Sequence, residues 1–250
     1  MSEVGYCTLE DVRRALREAG LPGDVQQDKR IAVDAIVAET EPLQRSLKRH
    51  FYEPNGIDEA TEVDIPTEPK TRDDEESIPT GGAHIVGEPV TPKTWQGPYT
   101  RIELGRNYAE QINELLVQGE DGTYTDWVAS DEYAGGQWPD AVGEDYFLRI
   151  NNGGVSHLYL DSQNFLDEDG EPIVDSFANV VYVGFSYGHE GIPRAVRRAV
   201  ALRAGAELVE EAVIEIPSNT TLYNVETKAE KMREKADELL EEYGGKYTDD

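Results

Sequence analysis

The pattern of apolar positions divides the chain into helical ends and a strand-rich middle. Apolar residues recur at three- and four-residue steps over residues 9–19, which predicts a short amphipathic helix. Thr8 and Asp11 occupy the positions of a capping box at its start. A second pattern over residues 28–51 predicts a long helix. We expect Pro42 to kink or interrupt this helix, because a proline ring collides with the carbonyl four residues earlier.

Helical patterns return near the C-terminus. Residues 192–209 are apolar on most sides of a helix, which predicts a central helix that starts at Pro193. A last amphipathic helix is predicted over residues 224–243, and Gly244 and Gly245 would end it.

Strand patterns fill the region between these helices. Residues 99–104 alternate with period two, and residues 145–160 read as a hairpin around Asn151-Asn-Gly-Gly. Residues 180–187 are rich in β-branched and aromatic types, as strands are. Asp121-Gly122 and Asp169-Gly170 mark turns. These signals predict a small antiparallel sheet that closes as a barrel or a sandwich.

The predicted fold class is therefore α+β. Residues 1–56 and 191–250 are expected to form one helical bundle, with residues 99–190 as a large β-rich insertion. Residues 57–98 carry repeated prolines and an acidic run, which indicates an extended arm with one or two short strands, for example at residues 84–86.

The charge of the chain is the strongest signal in its composition. The chain has 51 Asp and Glu against 23 Lys and Arg, a formal net charge of −28, and the acids are spread along its whole length. Such a charge repels itself at low ionic strength, whereas molar salt shortens the Debye length to about 3 Å. We interpret this as adaptation to a halophilic cytoplasm. DNA mimicry or binding of a basic partner are the alternatives.

The composition also argues against several classes of protein. So acidic a chain is not expected to bind nucleic acid generally, because affinity for phosphate needs clusters of Lys and Arg. A single cysteine, Cys7, excludes an intrachain disulfide and a multi-cysteine metal site. The N-terminus lacks the pattern of a signal peptide, and no run of about 20 apolar residues predicts a membrane span. We expect a soluble protein made inside the cell.

No catalytic constellation is apparent in the sequence. His50, His84, His157 and His189 lie in different segments without metal-binding spacing, so we interpret them as ordinary surface or interface residues. Residues 167–171 lack the ligand pattern of a calcium loop and are expected to form a turn. Cys7 is expected to be a small buried residue. We therefore predict a protein that is not an enzyme and needs no metal or cofactor.

The cations of the third predicted helix are more informative. This helix has a basic face in a very acidic protein, made of Arg194, Arg197, Arg198 and Arg203. These arginines could pair with the acidic last helix of the same chain. They could equally pair with a neighbouring subunit, where planar guanidinium groups suit desolvated contacts with carboxylates. The sequence leaves both interpretations open.

Three motifs, in this order, resemble one protein family. Residues 6–16 read Tyr-Cys-Thr-Leu-Glu-Asp-Val-Arg-Arg-Ala-Leu, and the second helix combines an Ile-x-x-x-x-Ile pattern at residues 31–36 with Arg49-His-Phe-Tyr52. Residues 192–200 place a proline before an Ala-rich helix. Together they resemble the head–tail connector (adaptor) proteins of tailed bacteriophages. The large central section departs from that family, whose members have a shorter loop between the second and third helices.

The resemblance implies a structural role in a virion. In that family the helical bundle forms a homo-oligomeric ring, usually a dodecamer, below the portal protein. The ring extends the DNA channel without sequence-specific binding and receives the tail or a tail-completion protein. The acidic composition then suggests the neck of a virus of a halophilic archaeon. Portal or lateral contacts are expected from the four arginines and from the C-terminal Tyr243, Lys246 and Tyr247.

Two other functions remain open at this point. The chain could be another structural virion protein, such as a tail-completion or baseplate subunit. It could also be a cellular halophilic protein whose β region binds a small ligand or sugar. Aromatic rings that could stack on sugars are expected in a sheet core as well: Tyr124, Trp127, Tyr133 and Trp138. A hydrolase is least favoured, because no site is recognisable.

Overall fold

The computed structural model describes residues 4–16, 28–57, 62–71, 98–167, 169–173, 180–214 and 221–244. These residues form four α-helices and several β-sheets, which confirms the mixed α+β class. The chain divides into two compact units. The helical unit comprises Met1–Leu47, Phe51–Glu68 and His189–Asp250, and the β unit comprises Lys48–His50 and Pro69–Gly188.

The helical unit is organised around one central helix. Its helices are α1 (Leu9–Leu16), α2 (Arg30–Leu47), α3 (Arg194–Ile214) and α4 (Thr221–Gly244). Helix α3 contacts the other three. Strands β1 (Phe51–Tyr52) and β10 (His189–Glu190) form a short parallel pair in the same unit.

Small residues let α3 occupy this position. Ala199, Ala204 and Ala206 are fully buried, and Val200 and Leu208 are nearly so. A Cβ atom added to Gly205 would lie 2.8 Å from the terminal methyl of Met232 on α4, so a larger residue there would require the Met232 side chain to move. The sequence-based prediction of a central third helix is confirmed.

Helix α2 is continuous through Pro42. The predicted interruption of this helix is therefore wrong. Pro42 has no backbone N–H, so the helix lacks one hydrogen bond here. Ile36 and Leu43, which flank this position, are both buried in the helical core, and their packing stabilises the helix. The hydroxyl of Thr40 also donates to the Ile36 carbonyl at 2.7 Å. The carbonyl that loses its helical donor through Pro42 is that of Ala38.

The core of the helical unit includes a part of the segment between helices and strands. Val63 and Ile65 are buried in this core, although they fall within the segment that the sequence indicates as an arm. A Cβ atom on Gly5 would lie 2.3 Å from Cγ1 of Val63, so the two backbones pack closely. Within the same segment, residues 58–61 and 72–97 lie outside the described residues, as does the strand expected at residues 84–86.

The β unit contains two four-stranded sheets, with strand orders β2-β9-β4-β5 and β3-β8-β7-β6. Pairing is antiparallel except between β6 and β7, which run parallel. The strands that the structure describes form no closed barrel, so of the two predicted arrangements the barrel is wrong. The strands are β2 (Lys70–Thr71), β3 (Tyr99–Asn107), β4 (Ala109–Gln118), β5 (Tyr124–Asp126), β6 (Gly135–Gln137), β7 (Tyr146–Ile150), β8 (Val155–Asp161) and β9 (Val181–Tyr187).

Both sheets contribute to one hydrophobic core. Leu158 and Leu160 come from the sheet that contains β8, and Leu115, Val183 and Phe185 come from the other sheet. All five side chains are almost completely buried.

The predicted hairpin is confirmed. Strands β7 and β8 pair directly, from Tyr146 opposite Leu160 to Ile150 opposite Ser156. Gly154 adopts a φ of 85° in the turn between them, where an L side chain would be strained.

Candidate assembly surface

Arg197 forms an ion pair with a residue of its own chain. Its Nε atom lies 2.6 Å from Oδ2 of Asp11 on α1, and the two side chains are only 27% and 15% exposed. The same carboxylate oxygen accepts hydrogen bonds at 2.9 Å from the backbone N–H and the hydroxyl of Thr8, while the Asp11 N–H donates to that hydroxyl. The predicted capping box is therefore confirmed. Arg197 pairs within its own chain, but its partner lies on α1 and not on the acidic last helix that the sequence suggested.

Cys7 lies beside this network and is fully buried. Burial raises the pKa of its thiol far above the ordinary range, and the Asp11 carboxylate adds to that rise while the Arg197 guanidinium opposes it. A thiol that stays protonated is a poor nucleophile. The expectation that Cys7 is a small buried residue is confirmed.

Arg203 joins three helices of the same chain. From α3 its Nη2 lies 2.6 Å from Oδ1 of Asp237 on α4, and its Nη1 lies 3.7 Å from Oε2 of Glu39 on α2. Arg233 on α4 forms a two-pronged ion pair with Glu210 on α3, and these hydrogen bonds lower the pKa of the Glu210 carboxyl. For Arg203, too, pairing within the chain is what the structure shows.

Arg194 and Arg198 differ from these two arginines. Both are exposed, and they lie four residues apart at the start of α3, where side chains share one helix face. Neither makes an ion pair or side-chain hydrogen bond with any residue in the described part of the chain. We call these two side chains the arginine pair.

Helix α4 carries a row of exposed carboxylates. Its members follow one another at three- or four-residue steps: Glu230, Glu234, Glu238 and Glu241. Within the described ranges Glu238 pairs with Lys235 on its own helix, and no ion pair involves the other three. We call these four side chains the acidic row.

The remaining predicted interface residues cannot be placed in this way. Tyr243 belongs to α4, and only its backbone is described. Lys246 and Tyr247 lie outside the described residues. Among the four predicted arginines, Arg194 and Arg198 are thus the two that make no ion pair with the described residues.

The histidines are less exposed than the sequence suggests. His50 and His157 are buried, and His189 is half-buried with its ring against Phe51 and its Nδ1 3.1 Å from the Gly191 carbonyl. The expectation of ordinary surface or interface residues is wrong for His50 and His157, because both are buried within the chain itself. His84 lies outside the described residues. Over the ranges that the structure describes, no three His, Cys, Asp or Glu side chains are grouped so that they could hold a metal ion.

His157 sits on β8 between charged strands. It is opposite Glu103 on β3 and opposite Arg149 on β7. Its pKa is lowered, mainly by burial and then by the nearby guanidinium groups of Arg101 and Arg149, whereas Glu103 opposes this effect. Its buried Nδ1 has no hydrogen-bond partner among the described residues.

The four aromatic residues considered for sugar binding do not share one surface. Trp127 is only 3% exposed and stacks on Tyr133 at 4.4 Å, within the core of the β unit. Tyr124 is exposed and packs edge-on against Tyr182. Trp138 is 49% exposed, and the Arg149 guanidinium lies 4.7 Å from its ring centre. The core interpretation is thus correct for Trp127 and Tyr133.

The described residues of the acidic segment, 167 and 169–171, form a turn. Oδ1 of Asp167 accepts backbone hydrogen bonds from Asp169 at 2.9 Å and from Glu171 at 2.8 Å, and Gly170 has a φ of 81°. One carboxylate oxygen is thereby engaged in closing the turn, as in an Asx turn.

Comparisons with known proteins add no relatives. A scan against protein-family models, a search of curated proteins and a search of solved structures found nothing that matches this chain. Among the helices of the described part of the chain, none combines the length and the apolarity that crossing a bilayer requires.

Proposed function

We propose that this protein is a structural subunit of a virion neck, a head–tail adaptor that assembles with copies of itself into a ring. In this proposal the ring docks below the portal protein, extends the DNA channel and receives the tail or a tail-completion protein. DNA passes through without sequence-specific binding. The chain works by assembly and has no catalytic role.

The observation that carries the proposal is that two arginines of α3 form ion pairs within the helical unit while two others on the same helix are exposed. Arg197 and Arg203 hold the helical unit together through Asp11, Glu39 and Asp237. The arginine pair on the same helix faces solvent. A subunit that builds a ring needs a rigid body and charged side chains that remain available for a neighbour, and α3 supplies both.

The sequence motifs support the same proposal. The Thr8–Asp11 capping box and Pro193 lie at the starts of α1 and α3, within the segments that resemble connector proteins. Helix α3, which begins within the motif at residues 192–200, contacts α1, α2 and α4 of one compact unit.

Size measurements and imaging in molar KCl test this proposal, because the net charge of −28 is largely screened there. Gel filtration and negative-stain microscopy should be applied to the chain alone and mixed with the portal protein of the same virus. Closed rings in either sample support the adaptor. A monodisperse monomer that ignores the portal and binds a sugar would overturn it in favour of a binding protein.

A further inference from the structure

We propose that the arginine pair of one copy binds the acidic row on α4 of another copy. This inference rests on the proposed function and deepens it, since it names the two faces that meet between subunits. The donor face is Arg194 and Arg198, and the acceptor face is the row defined above.

The arginine pair has the geometry for this contact. Four residues of an α-helix rise about 6 Å, so the two guanidinium groups leave α3 one turn apart on a single face. Each presents a planar fork that can engage a carboxylate through two hydrogen bonds. The neighbouring Arg197 and Arg203 already use their forks on Asp11 and Asp237. Arg194 and Arg198 make no such contact with the residues that the structure describes.

The acidic row repeats the same spacing. Glu230 and Glu234 are four residues apart, as are Glu234 and Glu238, so each couple matches the rise of about 6 Å between the two arginines. Like charges at this spacing repel along a helix by roughly 0.2–0.5 kcal/mol per couple. Lys235 relieves part of that repulsion at Glu238, and a basic partner would relieve it along the rest of the row.

A second copy is the partner that fits both sets of charges. Helices α3 and α4 are joined by contacts of Arg203 with Asp237 and of Arg233 with Glu210, yet among the described residues no ion pair joins the arginine pair to the acidic row of the same chain. Each copy therefore presents a donor face and a different acceptor face. Contact between unlike faces is heterologous, and it generates closed rings when the rotation between subunits closes.

The use of arginine suits a saline environment. At molar salt the Debye length is about 3 Å, so charges attract only in direct contact. Two-pronged guanidinium–carboxylate pairs have donor–acceptor distances of about 2.7–2.9 Å, within that limit. Long-range steering is lost under these conditions, whereas contact pairing persists.

Charge reversal on each face tests the inference. Sedimentation in molar KCl over a series of concentrations should compare the wild type with an arginine variant, Arg194→Glu and Arg198→Glu, and with a row variant in which three exposed glutamates become arginine (Glu230, Glu234 and Glu241). We expect each variant alone to associate at least tenfold more weakly than the wild type, equal to about 1.4 kcal/mol or more. We expect an equimolar mixture of the two variants to regain association, because each supplies the face that the other lacks.

Matched controls keep the charge change and move it elsewhere. Arg13→Glu with Arg14→Glu alters two exposed arginines of α1, and reversal of three exposed acids of the β unit imitates the row variant (Glu120, Asp131 and Glu132). These controls should associate like the wild type. Far-ultraviolet circular dichroism checks that all variants remain folded.

The outcomes separate this inference from the proposed function. Rings that persist in both variants overturn the inference and leave the adaptor intact. Wild-type association that stops at an open chain or a dimer, and that depends on both faces, supports the inference and contradicts the adaptor. A wild type that remains a monomer at every concentration overturns the inference, while its binding to the portal still decides the function.

Discussion

The Asp11 carboxylate completes the capping box of helix α1 and accepts a 2.6 Å hydrogen bond from Nε of Arg197, 186 residues later in the chain. One side chain therefore links the start of the first helix to the central helix. It connects the N-terminal part of the helical unit to the part that follows the β unit in the sequence.

Replacing Asp11 with alanine should destabilise the helical unit. The change removes the side chain that accepts from Thr8 in the capping box and leaves a half-buried guanidinium without its carboxylate, which should lower the free energy of unfolding by about 2 kcal/mol. Urea unfolding in molar KCl, followed by far-ultraviolet circular dichroism, measures this. Glu41→Ala is the control, because its ion pair with Arg45 is exposed and should contribute at most about 0.5 kcal/mol. Equal effects of the two changes would contradict the role of Asp11.

Cys7 should make stability fall at alkaline pH. Its thiol stays protonated in the folded chain because burial raises its pKa, whereas the unfolded thiol ionises above about pH 8.5. The unfolded state then binds fewer protons, so the free energy of unfolding decreases as the pH rises from that point, by at most about 1.4 kcal/mol per pH unit.

The comparison with Cys7→Ala isolates this effect. The variant cannot ionise at this position, so its stability should fall less steeply between about pH 8.5 and 10.5. Unfolding by urea at several pH values measures both slopes. Parallel slopes would show that the thiol is not protected by the fold.

His157 should make the β unit less stable in acid. Its lowered pKa keeps the folded imidazole neutral, while the unfolded imidazole gains a proton below about pH 6.5. The free energy of unfolding should therefore decrease as the pH falls through and below that value. In His157→Phe this loss should be smaller. Tryptophan fluorescence, to which the buried Trp127 contributes, follows the transition; an identical acid loss in both proteins would refute this role.

Replacing Trp127 and replacing Trp138 should have very different effects on stability, because Trp127 is buried and Trp138 is exposed. Trp127→Ala empties a core position and should cost about 3–5 kcal/mol, whereas Trp138→Ala removes an exposed ring and a cation–π contact worth about 0.5–1 kcal/mol. Urea unfolding measures both. Glycan-binding assays on the wild type and on Trp138→Ala provide a second readout. Glycan binding that disappears with Trp138 would favour the sugar-binding alternative over the adaptor.

Much of the fold could be predicted where local signals and tertiary contacts agree. The β7–β8 hairpin has strong strand formers on both sides of a glycine turn, and the Thr8–Asp11 cap is a local pattern. Strand β4 (Ala109–Gln118) shows the reverse. Its Ala, Glu, Gln and Leu favour a helix, and register shifts against β9 break the period-two pattern, so its pairing partners decide its structure.

The candidate site could be predicted only in part for a similar reason. The basic face of α3 is visible in the sequence, but its division into paired and exposed arginines depends on Asp11 and Asp237, which lie far away along the chain. The burial of Val63 and Ile65 in the helical core is equally a tertiary fact, since a proline- and acid-rich segment surrounds them.

A reconstruction of the virion neck by electron cryomicroscopy tests the central claim most directly. The account predicts a closed ring of this chain directly below the portal, with its helical unit forming the contacts between neighbouring copies. A neck whose ring density is filled entirely by other proteins, in virions that lack this chain, would contradict it.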